Sequence, residues 1–577
     1  MVVHLSVQKN GKMKKILALA TMASLAAFFV RCDNSDDKIT PEDEFPNNSK
    51  LVTGIEKHTA ENQLLGLRFT KDDNPNSLLQ NYSATVSSGD SIMVFIPYLA
   101  DFKLIANFSI GSSAKAYAQG AEQISGQTII NFTKSVEFQI VDTDSNYVHT
   151  YIIKVYNSGL PVVFIETPGG KDITSKEEWM DNASMRIYLK DGKLDYDSNE
   201  SGMQIRGRGN STWDATTEKR PYAIKLNSKA EILGMAKHKR WVLLANYYDA
   251  TFFRNDFANY LGHNYTNLDW TPSGEPVELV LNGVHKGNYY LCEQARMSKT
   301  RVPGEYLVEA DRKEGSGQIT GIKTGNFFNV KDVAADSVED TDPAVVAHVK
   351  GILDRFETTL YSDDYLDADK GYKKLIDLES FVDWFLIKEL SKDYDGNMFT
   401  SCYCHIMADS TIRMGPIWDF DLAFGGNPFE QMMGGGFGGF GGFGGFGGFG
   451  GTDYAWYNEP EGYHIADADW FVQMFKDPEF IGLLSQKVDN MVAGLDDIML
   501  YIDKNADYLA LSASANKVGY SGSNPMSGFG GFGWGWGNTS NTNAAAQKKP
   551  YAEEMQVIKT FVSERLKWMQ NDLKTRK

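Results

Sequence analysis

Apolar and polar positions alternate in short runs over residues 51–158. Ser91-Ile92-Met93-Val94-Phe95-Ile96-Pro97, Leu104-Ile105-Ala106-Asn107-Phe108, Val136 to Val141 and Tyr147 to Val155 each read as a strand bounded by turn residues. Several such strands in about a hundred residues predict a β-sandwich. From residue 159 the pattern changes. Leu160 to Ile165 is a continuous apolar run that opens a buried strand, and Glu278-Leu279-Val280-Leu281 and Tyr289-Tyr290-Leu291 read as sheet core. Phe381 to Leu390 has the spacing of a mostly buried helix, 332–366 that of an acidic solvated one, and Tyr551 to Met569 that of a closing helix. The expected fold class is therefore α+β, with a β-sandwich over 51–158 and a larger mixed unit over 159–577.

The amino terminus reads as a targeting segment. Lys12, Lys14 and Lys15 precede an apolar run from Ile16 to Val30, short for a membrane span, and Cys32 follows. This is the layout of a bacterial lipoprotein signal over residues 1–32, with Cys32 the acylated residue; a cleaved secretory signal with an incidental cysteine is the alternative. The acidic stretch Asp33 to Lys38 and the polar residues to 50 are a tether that cannot bury enough apolar area to fold. It resembles the surface-export signals of Bacteroidetes lipoproteins. The expected location is the cell envelope, as an outer-membrane lipoprotein facing outward. The sandwich resembles the immunoglobulin-like modules that space such proteins from their membrane, and a spacer role is expected.

Composition adds two constraints. The 577 residues carry 57 Lys+Arg against 75 Asp+Glu, a net charge of −18, which disfavours nucleic acid as a partner. Of 54 glycines, 19 fall in two Gly/Phe-rich blocks, 434–451 and 528–537, which read as insertions in a globular chain. Cys292, Cys402 and Cys404 form no disulfide framework. Cys402, Cys404 and Ile406 alternate along one face, which favours a strand with buried thiols over a zinc site.

The candidate chemistry begins at Ile205-Arg206-Gly207-Arg208-Gly209-Asn210-Ser211-Thr212. Glycines flanking an arginine can turn backbone amides toward an anion while Arg206 or Arg208 binds phosphate. A plain hairpin is the other reading. Lys225 then stands between apolar residues of a strand, where an ammonium needs a negative partner. The buried helix delivers Asp393-Tyr394-Asp395-Gly396-Asn397 at its end, and Trp418-Asp419-Phe420-Asp421 sets two carboxylates in an apolar stretch that calls for a cation. Glycine loop, strand lysine, helix-end aspartate and Asp-Phe-Asp follow the order of parts in a kinase, where lysine and Mg²⁺ offset phosphate charge and an acid orients the hydroxyl.

Together with Pro221-Tyr222-Ala223-Ile224-Lys225, Trp241 to Asp249, Arg254-Asn255 and Asn282 to Gln294, these stretches resemble the CotH family, spore-coat protein H kinases with an atypical protein-kinase-like fold. The resemblance spans about residue 160 to the end. It implies ATP and Mg²⁺ as cofactors and Lys225 as the nucleotide-phosphate lysine. Asp395 would be the catalytic-loop aspartate. Asp419 would bind metal, with Asp421 next if the alternation is shifted. Arg206, Gly207, Arg208 and Gly209 would approach phosphates, and Glu293 would be an acid near the nucleotide. A conventional catalytic loop has asparagine five residues after its aspartate; here that position is Thr400, and Asn397 is the nearest asparagine for the second metal position. The function implied is transfer of phosphate to a protein hydroxyl, Ser or Thr, on an unknown protein or surface-polymer acceptor. The alternative is a kinase-like scaffold used in carbohydrate binding or assembly.

Overall fold

Between Val162 and Glu293 alternate residues are apolar, and the strands they form curl until the sheet meets itself. The computed structural model describes residues 52–84, 86, 89–198, 202–210, 212–213, 219–311, 317–335, 340–426, 459–516 and 550–576. Cys32, the tether and both Gly/Phe-rich blocks lie outside the described residues.

The strands are β1 (Val162–Glu166), β2 (Met180–Tyr188), β3 (Leu194–Asp197), β4 (Met203–Gly207), β5 (Tyr222–Ile232), β6 (Met235–Leu244), β7 (Gly274–Leu281) and β8 (Val284–Glu293). Their order is β1-β7-β8-β6-β5-β4-β2-β3, and β1 also pairs with β2. Seven strands therefore close into a barrel, with β3 a hairpin partner of β2. β1 runs parallel to β7, Val162 opposite Glu278, and antiparallel to β2, Val162 opposite Tyr188. Inside lie Val163, Ile165, Met185, Ile187, Met203, Ile205, Ile224, Leu226, Trp241, Leu243, Leu279 and Leu291, all buried together. A closed ring satisfies every ladder hydrogen bond without an exposed edge, which is why so short a set of strands makes a stable body.

A second sheet follows, β9 (Tyr306–Ala310), β10 (Ile319–Thr320), β11 (Phe327–Val333), β12 (Cys402–Ile406) and β13 (Ile412–Met414), in the order β10-β11-β9-β12-β13. It shares one large core with helices α1 (Arg254–Tyr265), α2 (Pro343–Leu360), α3 (Leu378–Ser391), α4 (Asp469–Met474), α5 (Pro478–Ala493), α6 (Leu495–Ala515) and α7 (Tyr551–Arg576). Helix α3 is buried on almost every side, as its apolar sequence predicts, and Asp377 caps it by accepting from the Ser380 amide at 2.9 Å. Helix α2 buries Val345, Val349, Leu353 and Phe356, so it is amphipathic rather than a wholly solvated acidic helix. Cys402 and Cys404 are buried on β12 and form no disulfide, as their alternation predicts.

Residues 55–156 are β-rich. Strands Ile55–Glu56, Ser91–Phe95, Ala114–Ala118, Ala121–Gln123, Val136–Asp142 and Tyr147–Tyr156 make one sheet, and two smaller sheets complete the region around its own core. This region packs against the barrel. Tyr98 packs with Val162, Phe164 and Val280 on the outer wall of the barrel, its ring 4.9 Å from that of Tyr188. Gln80 Nε2 donates to the Gly283 carbonyl at 3.0 Å.

Candidate functional site

The outer wall of β4, β5 and β6 carries the predicted lysine. On β5, Ile224 and Leu226 point into the barrel, so Lys225 points out, opposite Gln204 of β4 and Arg240 of β6. Arg206 lies on the same outer face, opposite Ala223. The guanidinium groups of Arg206 and Arg240 both lie over the Trp179 ring, at 4.7 Å and 4.9 Å from its centre. Burial pushes the Lys225 ammonium below its ordinary pKa, and Arg240 and Lys239 push it further. Arg240 is likewise lowered to about 10 by burial and then by Arg296 and Arg206, and Arg206 is lowered by burial. Asp181 near Lys225, Glu177 near Arg206 and Asp332 near Arg240 offset these effects only in part.

The glycine loop works differently from the expectation. The Gly207 amide donates to the Ser175 carbonyl at 2.8 Å and the Arg208 amide to that of Pro221 at 3.2 Å, so neither is available to a phosphate. Gly207 is glycine because a Cβ there would sit 2.1 Å from the Trp213 ring. Gly209 turns the chain with φ +87. What the loop contributes is Arg208, whose guanidinium lies 5.8 Å from the Trp418 ring and bridges the barrel to the acidic segment.

Register also places Glu293. It pairs with Trp241, which faces the barrel interior, so it is on the opposite face from Lys225. There Oε1 lies 3.6 Å from Arg301 Nε, and Oε2 accepts from the Ser273 amide at 3.1 Å. Burial pushes its carboxyl up, and Arg301 works against that.

The acidic segment is held from several directions. Asp419 has φ +67, a left-handed backbone that a non-glycine residue adopts only when its surroundings hold it. On one side the Trp418 carbonyl accepts from Lys388 Nζ at 2.5 Å; on the other the Phe420 amide donates to Asn255 Oδ1 at 2.9 Å. Arg254 Nε donates to the Ala423 carbonyl at 2.8 Å, while its guanidinium pairs with buried Asp249. Asp249 in turn accepts from the amides of Phe253 at 3.0 Å and Arg254 at 2.9 Å, fixing the start of α1. The half-buried Asp419 Oδ2 accepts from Ser401 Oγ at 3.0 Å, and Asp421 lies half-buried in the next turn.

The helix-end loop lies alongside. Lys388 Nζ is 2.5 Å from Asp393 Oδ2, both residues wholly buried. Asp395 falls in the single turn Tyr394–Gly396, and its side chain is outside the described residues. Asn397 ends that turn, and its Oδ1 is buried with no hydrogen-bond partner among the described residues. Thr400, the position five after Asp395, donates instead to Asp311 Oδ1 at 3.2 Å. The structure thus brings Arg206, Lys225 and Arg240 together on one wall, and ties Asp419 to the 393–401 loop through Lys388 and Ser401. A half-buried carboxylate and a buried amide oxygen without a partner suit a hard cation such as Mg²⁺.

Four supports were not assigned roles from sequence. Asn255 and Arg254 stood only as an unexplained Arg-Asn pair. Lys388 had a visible signal, a lysine inside the apolar run Phe381 to Leu390 with an aspartate five positions on. Trp179 had none.

Residues 205–569 match the family described as CotH kinase protein. The chain belongs to the CotH kinase family, and the mixed helix and sheet content of the larger unit accords with that. A comparison with curated proteins gave no match. Among solved structures, a protein described as "a putative glycoside hydrolase" from Bacteroides thetaiotaomicron aligns over 46% of this chain and 67% of its own at 15% identity, with a TM-score of 0.15. An overlap that slight says nothing about the reaction.

Proposed function

We propose that this chain is an exported, lipid-anchored kinase that binds ATP with Mg²⁺ and transfers the terminal phosphoryl group to a protein hydroxyl, Ser or Thr. The observation that carries the reading is the wall of Arg206, Lys225 and Arg240, whose mutual repulsion a polyphosphate would relieve. Those cations hold and orient the phosphates. Arg208, beside Trp418, is placed to meet charge on the side nearest the acidic segment. Asp419 and Asn397 would hold Mg²⁺, which when bound offsets negative charge on the phosphates. In the transfer, the acceptor oxygen forms a bond to phosphorus as the bond to the ADP oxygen breaks; Asp395, by family resemblance, takes the hydroxyl proton. Export and anchoring rest on the 1–32 segment, with acylation at Cys32 and the immunoglobulin-like reading of 51–158 as part of the same proposal. The acceptor is an envelope protein or surface polymer.

One observation favours a second reading, a kinase-like scaffold used in carbohydrate binding or assembly: the Gly207 and Arg208 amides are already bonded within the fold. Purified protein incubated with labelled ATP and Mg²⁺, beside Asp419→Ala, separates the two. The kinase reading expects label on protein in the parent only; no transfer and no nucleotide-dependent thermal shift would leave the scaffold.

A further inference from the structure

The β-rich region contains three side chains that neither its core nor the kinase-like cleft uses. Strand Tyr147–Tyr156 has two short parallel partners on the same edge. Ile55–Glu56 pairs with its first residues and Ser91–Phe95 with its last. Between these partners the chain departs at His58 and returns at Asp90, and both meet His149 of the central strand. The His58 and His149 rings stack with centroids 3.6 Å apart and planes 14° apart. Asp90 Oδ1 lies 2.8 Å from His149 Nε2. One nitrogen of each ring and one carboxylate oxygen all fall within 4.8 Å of one another.

Burial is graded across the three. His149 is buried whereas His58 and Asp90 are exposed, so the cluster has a fixed floor and an open side. The backbone beneath it is tightly bonded. The Lys57 amide donates to the Val148 carbonyl at 3.0 Å and the Ile152 amide to that of Asp90 at 2.7 Å. Glu56 accepts from the Thr150 amide at 2.9 Å. The second nitrogen of His149, Nδ1, is buried with no hydrogen-bond partner among the described residues. Nε2, the nitrogen that meets Asp90, is therefore the donor that His149 turns toward the cluster. Two imidazole nitrogens beside a carboxylate oxygen make a recognised ligand set.

We propose that His58, Asp90 and His149 form a binding site for a divalent transition-metal ion of the zinc class. Two imidazoles and one carboxylate favour Zn²⁺, Ni²⁺ or Cu²⁺ over Mg²⁺ and Ca²⁺, which prefer all-oxygen shells. Three protein donors leave a coordination position for water. The ion would fasten the chain leaving the first short strand to the chain entering the second. The site is separate from the nucleotide cleft and stands whether or not the kinase reading does.

The test uses the full chain stripped of metal, then dialysed against Zn²⁺ in excess Mg²⁺ with metal content measured, and a parallel Co²⁺ titration read by its ligand-field spectrum. The expected result is one Zn²⁺ retained per chain, a Co²⁺ spectrum without thiolate charge transfer, and at least about tenfold weaker binding in His58→Ala and in Asp90→Asn. Asp419→Ala should keep the zinc. His58 is exposed, so its replacement should fold, and circular dichroism checks this; if it does not fold, Asp90→Asn decides. No retained zinc, or zinc retained equally by the variants, overturns the proposal.

Discussion

Lys388 reaches both Asp393 and the carbonyl of Trp418, each at 2.5 Å, and so couples the helix-end loop to the segment that carries Asp419. Burial works against its charge, but Asp393, together with Cys402 and Asp419, holds the ammonium above its ordinary pKa. Removing one partner of a buried pair leaves the other uncompensated. Lys388→Met should cost about 3–5 kcal/mol in urea unfolding. Adding Asp393→Leu should restore much of the stability but not a nucleotide-dependent thermal shift, because the Trp418 carbonyl still lacks its donor.

Asn255 acts on the same segment from the other side. In Asn255→Ala the buried Phe420 amide loses its acceptor, a cost of about 1–3 kcal/mol. Phosphoryl transfer should fall more steeply than stability, through kcat rather than KM. Asn255→Asp keeps an acceptor oxygen and should recover most of the rate. If both variants behave alike, the bond to Phe420 is not what positions Asp419.

The crowded wall predicts an uncommon pairing of effects. Lys225→Met removes a cation that burial and Arg240 already disfavour, so the fold without nucleotide should be as stable as the parent or more so. Nucleotide affinity should nevertheless drop at least about tenfold, a loss of roughly 1.4 kcal/mol or more. Thermal unfolding with and without ATP reads both.

A pair of acids, Asp256 on α1 and Glu275 on β7, sets a pH dependence. Asp256 is raised to about 6 by burial, despite hydrogen bonds from Tyr501 and Tyr290. Glu275 is raised to about 7, first by burial and then by Asp256. Their folded pKa values exceed the unfolded ones, so between about pH 4 and 7 the unfolded chain gives up protons that the folded chain keeps. Their contribution to stability therefore falls as pH rises through that window and levels off above it. Asp256→Asn with Glu275→Gln should match the parent near pH 4 and exceed it at pH 8, in Tm or in urea midpoint. A constant gap at both pH values would refute this assignment.

Much of the site could be read from the chain because its parts are local. Lys225 between Ile224 and Leu226, the apolar helix before Asp393 and the Asp-Phe-Asp turn each announce themselves within a few residues. What could not be read depends on register and distant pairing. Glu293 falls on the inner face of the barrel only because Trp241 stands opposite it. Gly207 looked like a phosphate-loop glycine but makes room for Trp213. The contact of His285 Nε2 with buried Glu278 at 2.6 Å likewise depends on the pairing of β7 with β8. Barrel closure rests on β1 pairing with β7 far downstream, which no short window of sequence contains.

That closure has a consequence for how an acceptor can be held. Many proteins that handle polypeptides take hold of them by extending a sheet, reading backbone before side chains. The ring of seven strands offers no such margin apart from the hairpin strand β3. In the second sheet, β10 has two residues, and β13 is already bonded to Leu375 and Asp377 through Ile412. Under the proposed kinase reading, the described residues around Asp419 would recognise a substrate segment by its side chains and its shape. A kinase built this way would accept hydroxyls presented on a folded surface or a branched polymer as readily as on an extended chain.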